Sequence, residues 1–286
     1  MLFIDLILQG LIQGGVYALI AIGLTMVYGL LRILHIAHAG LYALGGYCAL
    51  LITEASGSFS LGIVGSMIIV GIVGMAVYRL FYQPILDKPP VVALIVSIGL
   101  FIGMEELYRI FFGANGLSYT VAPLQGTIEF YGIFIRQSEI ISLILALVLI
   151  SSLSLFTKYT RIGIAWRATV TDPIMAESFG VDVLKVRYLN FFIGSMMAAA
   201  AGSMVGLTNN LVEPTMGSIP SYKALAIIVL GGLGNVRGTL IAALAIGLAE
   251  SFGTIYLGDF FDRDSIAFAF LIIVLMIKPK GLFTKE

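Results

Sequence analysis

The chain has 286 residues, of which 59% are apolar and only 11% are charged. Its sixteen basic and sixteen acidic side chains give no net charge. Soluble domains carry about 25% charged residues, so this chain lacks the polar groups that would cover its surface in water. Most of that surface must therefore face lipid. The composition excludes an ordinary soluble protein, and the neutral charge gives no indication of a nucleic-acid partner.

Nine continuous apolar runs follow one another along the chain, and we predict a membrane helix in each. A helix that rises 1.5 Å per residue needs about 20 apolar residues to cross roughly 30 Å of hydrocarbon. Backbone groups in lipid must be satisfied within the segment, which favours helices over open strands. The second and seventh runs are short and rich in glycine, so we expect broken or re-entrant helices there and eight or nine spans in total. The runs are 6–31, 37–53, 61–81, 91–112, 138–156, 188–208, 221–234, 238–256 and 264–277.

The positions of Lys and Arg predict the side of the membrane on which each connection lies, because cytoplasmic loops carry the excess of basic residues. The connection 157–187 carries five basic residues and is therefore assigned to the cytoplasm. Alternating sides from there places twelve of the sixteen basic residues inside, with the N-terminus outside and the C-terminus inside. We expect an all-α polytopic membrane protein with one transmembrane domain, 1–286, that contains 157–187 as a cytoplasmic segment.

Two stretches of the sequence show a weak internal likeness. Residues 23–46 and residues 202–232 each contain the end of a long span, an irregular polar stretch and a short span that ends in paired glycines. In the predicted topology the two copies run in opposite directions. Inverted repeats with short, glycine-interrupted segments at matching positions are typical of transporters, whose substrate path lies between the halves.

Four pairs of glycines have the spacing G-x-x-x-G, which places both residues on one helix face and lets another backbone approach closely. We expect each pair to pack within the helix bundle, in preference to forming a subunit interface or a substrate path. The pairs are Gly10/Gly14, Gly99/Gly103, Gly202/Gly206 and Gly234/Gly238.

Ionisable residues within apolar runs are costly in a membrane and so are candidates for function. Glu105 and Arg109 lie one turn apart near the outer end of their span and are expected to pair, with Glu106 facing elsewhere. Glu250 has no basic residue within one turn. It therefore either pairs with another helix or lines a water-filled cavity.

The segment 161–190 is basic at both ends and contains the pattern of a short helix. Thr171 or Asp172 can cap this helix, Pro173 suits its first turn and Gly180 suits its end. A short amphipathic helix inside the cell can dock a motor subunit, or it can lie on the membrane surface; the residues alone leave both interpretations open. Its apolar face is too short to cross a membrane and consists of Ile174, Met175, Ala176 and Phe179.

Motifs of several other functional classes are missing from the sequence. There is no G-x-x-x-x-G-K-[ST] phosphate loop, so the chain does not bind ATP by that route. The two histidines, His35 and His38, have no Cys or carboxylate cluster at metal-ligand spacing, and no metal site is predicted. No Ser/His/Asp set is evident, which argues against an enzyme.

Several blocks of the sequence resemble one known family. They are GGVYALIAIGLTMVYGLLRILHIAHAGLYALGGYCAL (14–50), TRIGIAWRATVTDPIMAESFGVDVLKV (160–186), YKALAIIVLGGLGNVRGTLIAALAIGLAES (222–251) and the closing PKGLF (279–283). In this order they resemble blocks of the LivH-type permease subunit of bacterial high-affinity branched-chain amino-acid ABC importers. The second block is similar to the cytoplasmic coupling segment of that family.

The resemblance implies a heteromeric importer in the bacterial cytoplasmic (inner) membrane. A second related permease would pair with this chain, two ATP-binding cassette ATPases would bind ATP on the cytoplasmic side, and an extracytoplasmic binding protein would deliver the substrate. This chain would hold no cofactor and would not be an enzyme. The coupling helix would rest on an ATPase with Glu177 as its polar anchor, and its residues would be Asp172, Pro173, Met175, Ala176, Glu177, Phe179 and Gly180.

The sequence departs from the family pattern at the start of the second span. The family often has Asn-Phe-Ala-His-Gly where this chain has HIAHAG (35–40), a change that could alter the pathway or its substrate. Candidate polar groups of the substrate pathway, each with an alternative structural role, are Thr25, His38, Tyr42, Ser97 and Glu250.

Three alternatives to a branched-chain amino-acid importer remain. The same architecture could carry urea, short amides or aromatic acids, because selectivity in such systems resides largely in the binding protein. An ion-coupled secondary transporter would need buried titrating carboxylates and no docking helix, and a membrane-embedded enzyme would need a catalytic cluster. The sequence therefore favours the ABC permease.

Overall fold

The computed structural model describes residues 2–130, 133–258, 260–278 and 282, so that most of the closing PKGLF motif lies outside it. Its helices follow the order of the apolar runs. They are α1 (Leu2–Leu31), α2 (His38–Ser56), α3 (Phe59–Val77), α4 (Pro90–Phe112), α5 (Gln137–Tyr159), α6 (Arg161–Thr171), α7 (Pro173–Ser178), α8 (Val183–Asn209), α9 (Ser218–Gly231), α10 (Val236–Leu257) and α11 (Arg263–Ile277). Helix α3 continues through a π-helical turn, Tyr78–Tyr82, and a 3₁₀ turn, Gln83–Ile85.

Six helices in the described part of the chain are long and apolar enough to cross a membrane: α1, α3 with its extension, α4, α5, α8 and α10. This confirms the prediction of a polytopic, helical membrane protein. The seventh predicted span is the short helix α9, whose 14 residues extend about 21 Å, less than the roughly 30 Å of a hydrocarbon core. The break predicted in the second span is not observed, because α2 is one continuous helix of 19 residues and the irregular stretch precedes it.

The long connection between α4 and α5 contains a small hairpin that the sequence analysis did not predict. Strands β1 (Thr127–Phe130) and β2 (Ile133–Arg136) pair antiparallel, with Thr127 opposite Arg136. Two strands of four residues leave the fold class unchanged.

Helix α1 forms the centre of the bundle, and its middle turns are almost completely buried. It lies directly against α10 along the first predicted glycine pair. A Cβ atom placed on Gly14 would lie 2.9 Å from the Cα atom of Leu244, and one placed on Gly10 would lie 2.9 Å from the Cα atom of Leu248. The two backbones can approach this closely only because both positions lack a side chain, which confirms the packing prediction for this pair.

The glycine pair of α4 behaves differently. A Cβ atom at Gly99 or Gly103 would meet nothing within 4 Å, because α4 packs on the bundle only through its opposite face, at Ala93, Ser97 and Tyr108. The prediction of packing within the bundle is therefore wrong for Gly99/Gly103. In the described chain the two glycines line a shallow apolar groove beside Phe81.

The two stretches of the predicted repeat have the same order of elements. In each, a long helix (α1 or α8) is followed by an irregular stretch and a shorter helix (α2 or α9). The starts of the two shorter helices meet inside the bundle, because a Cβ atom on Gly217 would collide with the backbone of Ala39. Both residues are buried.

Candidate functional site

The short helix α7 projects from the bundle between the membrane helices α5 and α8. Ile174 is 79% exposed and Phe179 is 82% exposed, whereas Ala176 faces the bundle and is buried. Large apolar side chains that stand out in this way on a charged connection form a surface suited to a protein partner or a lipid headgroup layer.

Local interactions define both ends of α7. The Asp172 carboxylate accepts hydrogen bonds from the backbone N–H groups of Ile174 and Met175, each at 3.0 Å, and Pro173 occupies the first turn. Gly180 follows the helix with φ of +82°, a conformation that a side chain disfavours. Of the two caps that the sequence allowed, the structure uses Asp172.

A second helix, α6, precedes α7 and was not predicted. Thr160 caps it by accepting a hydrogen bond of 2.9 Å from the Gly163 N–H group. The Trp166 indole donates to the Asn190 side-chain oxygen on α8 at 2.9 Å, and the Asn190 amide donates to the Met26 carbonyl on α1 at 3.1 Å. These bonds join α6 to α8 and to the central helix α1.

Two acidic side chains, one on α7 and one at the start of α8, have different surroundings. Glu177 is exposed, and no ion pair involves it within the described residues, so its carboxylate is available to a partner. Asp182 caps α8, and hydrogen bonds from the backbone and side chain of Lys185 hold the pKa of its carboxyl below the usual value. The anchoring role of Glu177 stays a prediction.

The first candidate pathway residue, Thr25, joins two helices of the core. Its hydroxyl donates to the Ala21 carbonyl at 2.7 Å and lies 2.8 Å from the hydroxyl of Thr239 on α10. Both hydroxyls are buried and hydrogen-bonded, an arrangement that stabilises the α1–α10 contact.

Three other candidates lie around the start of α2. The Ser97 hydroxyl on α4 accepts a hydrogen bond of 3.0 Å from the Ala37 N–H group, next to the first residue of the helix. His38 is buried against Gly23 of α1, and Tyr42 is buried one turn further along α2. The structure therefore places His38 and Tyr42 in the first turns of α2 and Ser97 beside the start of that helix.

His35 belongs to the same region through a partner that the sequence analysis missed. Its Nδ1 atom lies 2.7 Å from the hydroxyl of Tyr82, and its ring packs against Tyr82 and Phe191. Tyr82 lies in the π-helical turn after α3, and no local sequence pattern indicates this contact. Among the described residues, no group of three His, Cys, Asp or Glu side chains could hold a metal ion.

Glu250 lies at the centre of a buried ionic network. Its carboxylate is 2.8 Å from the Lys223 ammonium on α9 and 2.9 Å from the Arg263 guanidinium on α11, and it accepts a hydrogen bond of 2.8 Å from the Tyr17 hydroxyl. Lys223 also pairs with Asp264 at 2.7 Å. Two acidic and two basic groups therefore balance one another across three helices. Of the two possibilities left by the sequence, pairing across helices is the one observed.

The ion pair on α4 has one more member than the sequence analysis predicted. Arg109 binds Glu105 at 2.9 Å and also Glu106 at 2.6 Å. The expectation that Glu106 faces elsewhere is wrong, because the long Arg109 side chain reaches carboxylates three and four residues before it. These groups are partly exposed at the end of the helix.

The five candidate pathway residues do not form a single site. Thr25 joins α1 to α10, Glu250 joins α10 to α9 and α11, and the other three surround the start of α2. None of the five lines the large groove of about 990 Å³ that opens beside α6. This groove lies between α1, α5, α6 and α10.

Comparison with known proteins places the chain among transport proteins. The family model described as branched-chain amino acid transport system, permease component, matches residues 6–277. The chain is 31% identical to the high-affinity branched-chain amino acid transport system permease protein LivH of Salmonella typhimurium, over 98% of this chain and 95% of the relative. It is 27% identical to the LivM permease protein of the same organism, over 93% of this chain and 67% of the relative.

A solved structure shares the fold of the chain. PsaBC from Streptococcus pneumoniae, in complex with Fab, superimposes with a TM-score of 0.52 at 13% sequence identity, over 95% of this chain and 91% of that chain. At this identity the similarity establishes the fold alone.

Proposed function

Because the chain belongs to the family of permease components of branched-chain amino acid transport systems, we propose that it is a permease subunit of an ATP-driven ABC importer for branched-chain amino acids. In this proposal it forms half of the translocation path in a bacterial cytoplasmic membrane and is not itself an enzyme. The observation that carries the proposal is the capped, exposed helix α7 between two membrane helices, because an importer without its own phosphate loop needs such a docking element.

The proposed assembly contains a second related permease, two ATPase subunits that bind ATP, and an extracytoplasmic binding protein. The similarity of the chain to both LivH and LivM supports a pair of related permeases. A groove in one of the two ATPases receives the exposed apolar residues of α7, with Glu177 at its edge. Closure of the ATPases then moves α7, and the hydrogen bonds from α6 to α8 and α1 carry this movement into the spans.

The proposed topology has the N-terminus outside and the C-terminus inside, in one domain over residues 1–286. Two contacts support a common side for the C-terminus and the α6–α7 segment. The Leu282 N–H group donates to the Leu230 carbonyl at the end of α9, and the loop that follows α9 borders the same groove as α6. The loop that contains Phe260 lies at the other end of α10. In this topology α2, α9 and α11 also count as membrane segments, which with the six long helices gives nine.

Cysteine labelling tests this topology in intact cells. In a chain expressed without its ATPases, with the single native cysteine replaced by Cys48→Ser, Phe260→Cys is expected to react with a membrane-impermeant maleimide added outside, whereas Met175→Cys reacts only in inverted membrane vesicles. Both native side chains are exposed, so burial does not limit either reaction. Labelling of the two positions from the same side would contradict the proposed arrangement of spans.

A matched pair of phenylalanines tests the coupling function. Phe179 on α7 and Phe260 in the α10–α11 loop are both 82% exposed, so truncating either to alanine removes the same surface without opening the core. In proteoliposomes with the partner permease, both ATPases and the binding protein, Phe179→Ala is expected to lower ATP-dependent leucine uptake about tenfold, because interface anchors of this size contribute 1–2 kcal/mol or more. Phe260→Ala is expected to retain normal uptake.

The same assay distinguishes the alternatives. Uptake driven by an ion gradient without the ATPases would overturn the ABC proposal and favour a secondary transporter. ATP-dependent uptake of urea or short amides, with no uptake of leucine, would retain the architecture and replace the cargo. Equal uptake by the Phe179→Ala and Phe260→Ala proteins would exclude α7 as the docking element.

A further inference from the structure

The groove beside α6 has a charged mouth and an apolar interior. Its volume is about 990 Å³, and its mouth carries Lys158 at the end of α5, Arg167 on α6 and Arg237 at the start of α10. Three separate elements therefore place cations around one opening. All three side chains are exposed at this opening.

The cations at the mouth have no acidic counterpart. No Asp or Glu side chain lines the groove, and none of the three cations makes an ion pair within the described residues. The Lys158 ammonium lies over the ring of Tyr159, 4.9 Å from the ring centre, at the end of α5. The mouth is thus a cluster of uncompensated positive charge that an anion can neutralise.

The interior of the groove runs along the membrane helices and is apolar. Its walls carry Met26 on α1, Ile150 and Leu153 on α5, and Leu240 and Ile241 on α10. These residues come from the spans rather than from the connections, so the interior extends into the hydrocarbon layer. A hydrocarbon chain placed there would contact side chains of its own polarity.

We propose that this groove binds an anionic phospholipid. The phosphate of its headgroup lies among Lys158, Arg167 and Arg237, and one acyl chain lies along α5 and α10. Basic pockets between membrane helices on the cytoplasmic side are suited to such headgroups. A free amino acid fits poorly, because none of the described residues that line the groove has a carboxylate to bind its ammonium group, and a soluble phosphate makes no use of the apolar interior.

The position of the groove suggests what the lipid does. One wall is α6, which is joined to α7 and, through Trp166 and Asn190, to α8 and α1. A lipid held between α5, α6 and α10 fixes α6 against the ends of the spans. It therefore stabilises the segment that carries the proposed docking helix.

Native mass spectrometry of the purified full chain tests binding directly. The chain, freed of lipid in detergent, is titrated with phosphatidylglycerol, with phosphatidylcholine of the same acyl chains, and with inorganic phosphate. Phosphatidylglycerol is expected to bind about tenfold more tightly than phosphatidylcholine, given the contribution of each Lys or Arg near a headgroup. Inorganic phosphate in excess is expected to leave the lipid bound.

Two sets of charge variants separate the groove from the general basic surface. Removing the three cations of the mouth, with Lys158→Gln, Arg167→Gln and Arg237→Gln, is expected to abolish the preference for phosphatidylglycerol. The control removes three exposed cations outside the groove, with Arg79→Gln, Lys88→Gln and Arg161→Gln, and is expected to retain it. Equal losses in the two triple variants would overturn the proposal, as would equal affinity for the two lipids in the unaltered chain.

A variant of the interior tests occupancy by the acyl chain. Ile241→Trp fills the groove from α10 at a position that is 46% exposed, so the core is not disturbed. Lipid binding is expected to fall at least about fivefold although the three cations remain, since the acyl-chain contacts are displaced. Unchanged lipid binding by the Ile241→Trp variant would mean that the lipid only adsorbs on a charged surface, and it would overturn the proposed site.

The lipid-binding experiments and the transport assay test the two proposals independently. A chain that binds phosphatidylglycerol in this way but transports nothing contradicts the importer proposal alone. A chain that supports leucine uptake but shows no lipid preference contradicts the lipid site alone. Loss of ATPase binding, rather than lipid binding, in the groove variant would identify an acidic protein surface as the occupant and overturn the lipid proposal.

Discussion

Replacing Glu250 with leucine is expected to destabilise the folded chain by about 3–5 kcal/mol, because the change removes the carboxylate that pairs with both Lys223 and Arg263 and leaves the network with one excess positive charge. Glu250 and Lys223 are almost completely buried, and the network is neutral only as a whole. After the substitution, Lys223 keeps its ion pair with Asp264 at 2.7 Å, whereas Arg263 loses the carboxylate that it binds. An uncompensated charge inside a membrane bundle is costly in any position.

Thermal unfolding of the purified chain, followed by size-exclusion chromatography, measures this effect. A second variant, with both Glu250→Leu and Lys223→Met, restores the charge balance and is expected to recover part of the lost stability, since a buried ion pair can be replaced by apolar residues at low cost. Glu106→Gln serves as a control, because it removes a partly exposed carboxylate that also pairs with an arginine. This change is expected to lower the free energy of unfolding by less than about 1 kcal/mol. A double variant no more stable than Glu250→Leu would contradict the charge-balance argument.

Adding a side chain at Gly14 is expected to disrupt the bundle, whereas the same change at Gly103 is expected to be tolerated. The Cβ atom of a Gly14→Val variant would lie 2.9 Å from a backbone atom of α10, so α1 and α10 must separate. Overpacking of a rigid core lowers the free energy of unfolding by about 1–3 kcal/mol or more. The cost is high here because backbone atoms cannot move aside as a flexible side chain can. At Gly103 nothing lies within 4 Å of the added atom.

The yield of folded monomer in detergent tests the two variants under identical conditions. Gly14→Val is expected to yield little folded protein, and Gly103→Val is expected to equal the unaltered chain. Normal folding of Gly14→Val would show that the α1–α10 contact is looser than described. A loss of assembly with a second permease for Gly103→Val, with the chain itself still folded, would identify the exposed face of α4 as an interface.

The sequence was sufficient to predict most helices and the short helix α7, because these depend on local signals. Apolar runs of the right length mark the spans, and Asp172, Pro173 and Gly180 act on neighbouring backbone groups. Helix α6 carried a comparable signal in Thr160, which caps it, but the basic residues around it obscured the pattern.

Contacts between distant helices could not be predicted from the sequence. Lys223 and Glu250 lie on different helices, and only the packing of α9 on α10 brings them together. The contact between His35 and Tyr82 likewise depends on how the π-helical turn approaches α1. For the same reason, the sequence did not show that the candidate pathway residues belong to different parts of the bundle.

The meeting of α2 and α9 at their first turns has an electrical consequence. The positive end of a helix macrodipole is equivalent to about half an elementary charge, and at Ala39 and Gly217 two such ends lie side by side, away from water. Their combined field raises the electrostatic energy of any cation at this position inside the bundle and favours a neutral or anionic group there.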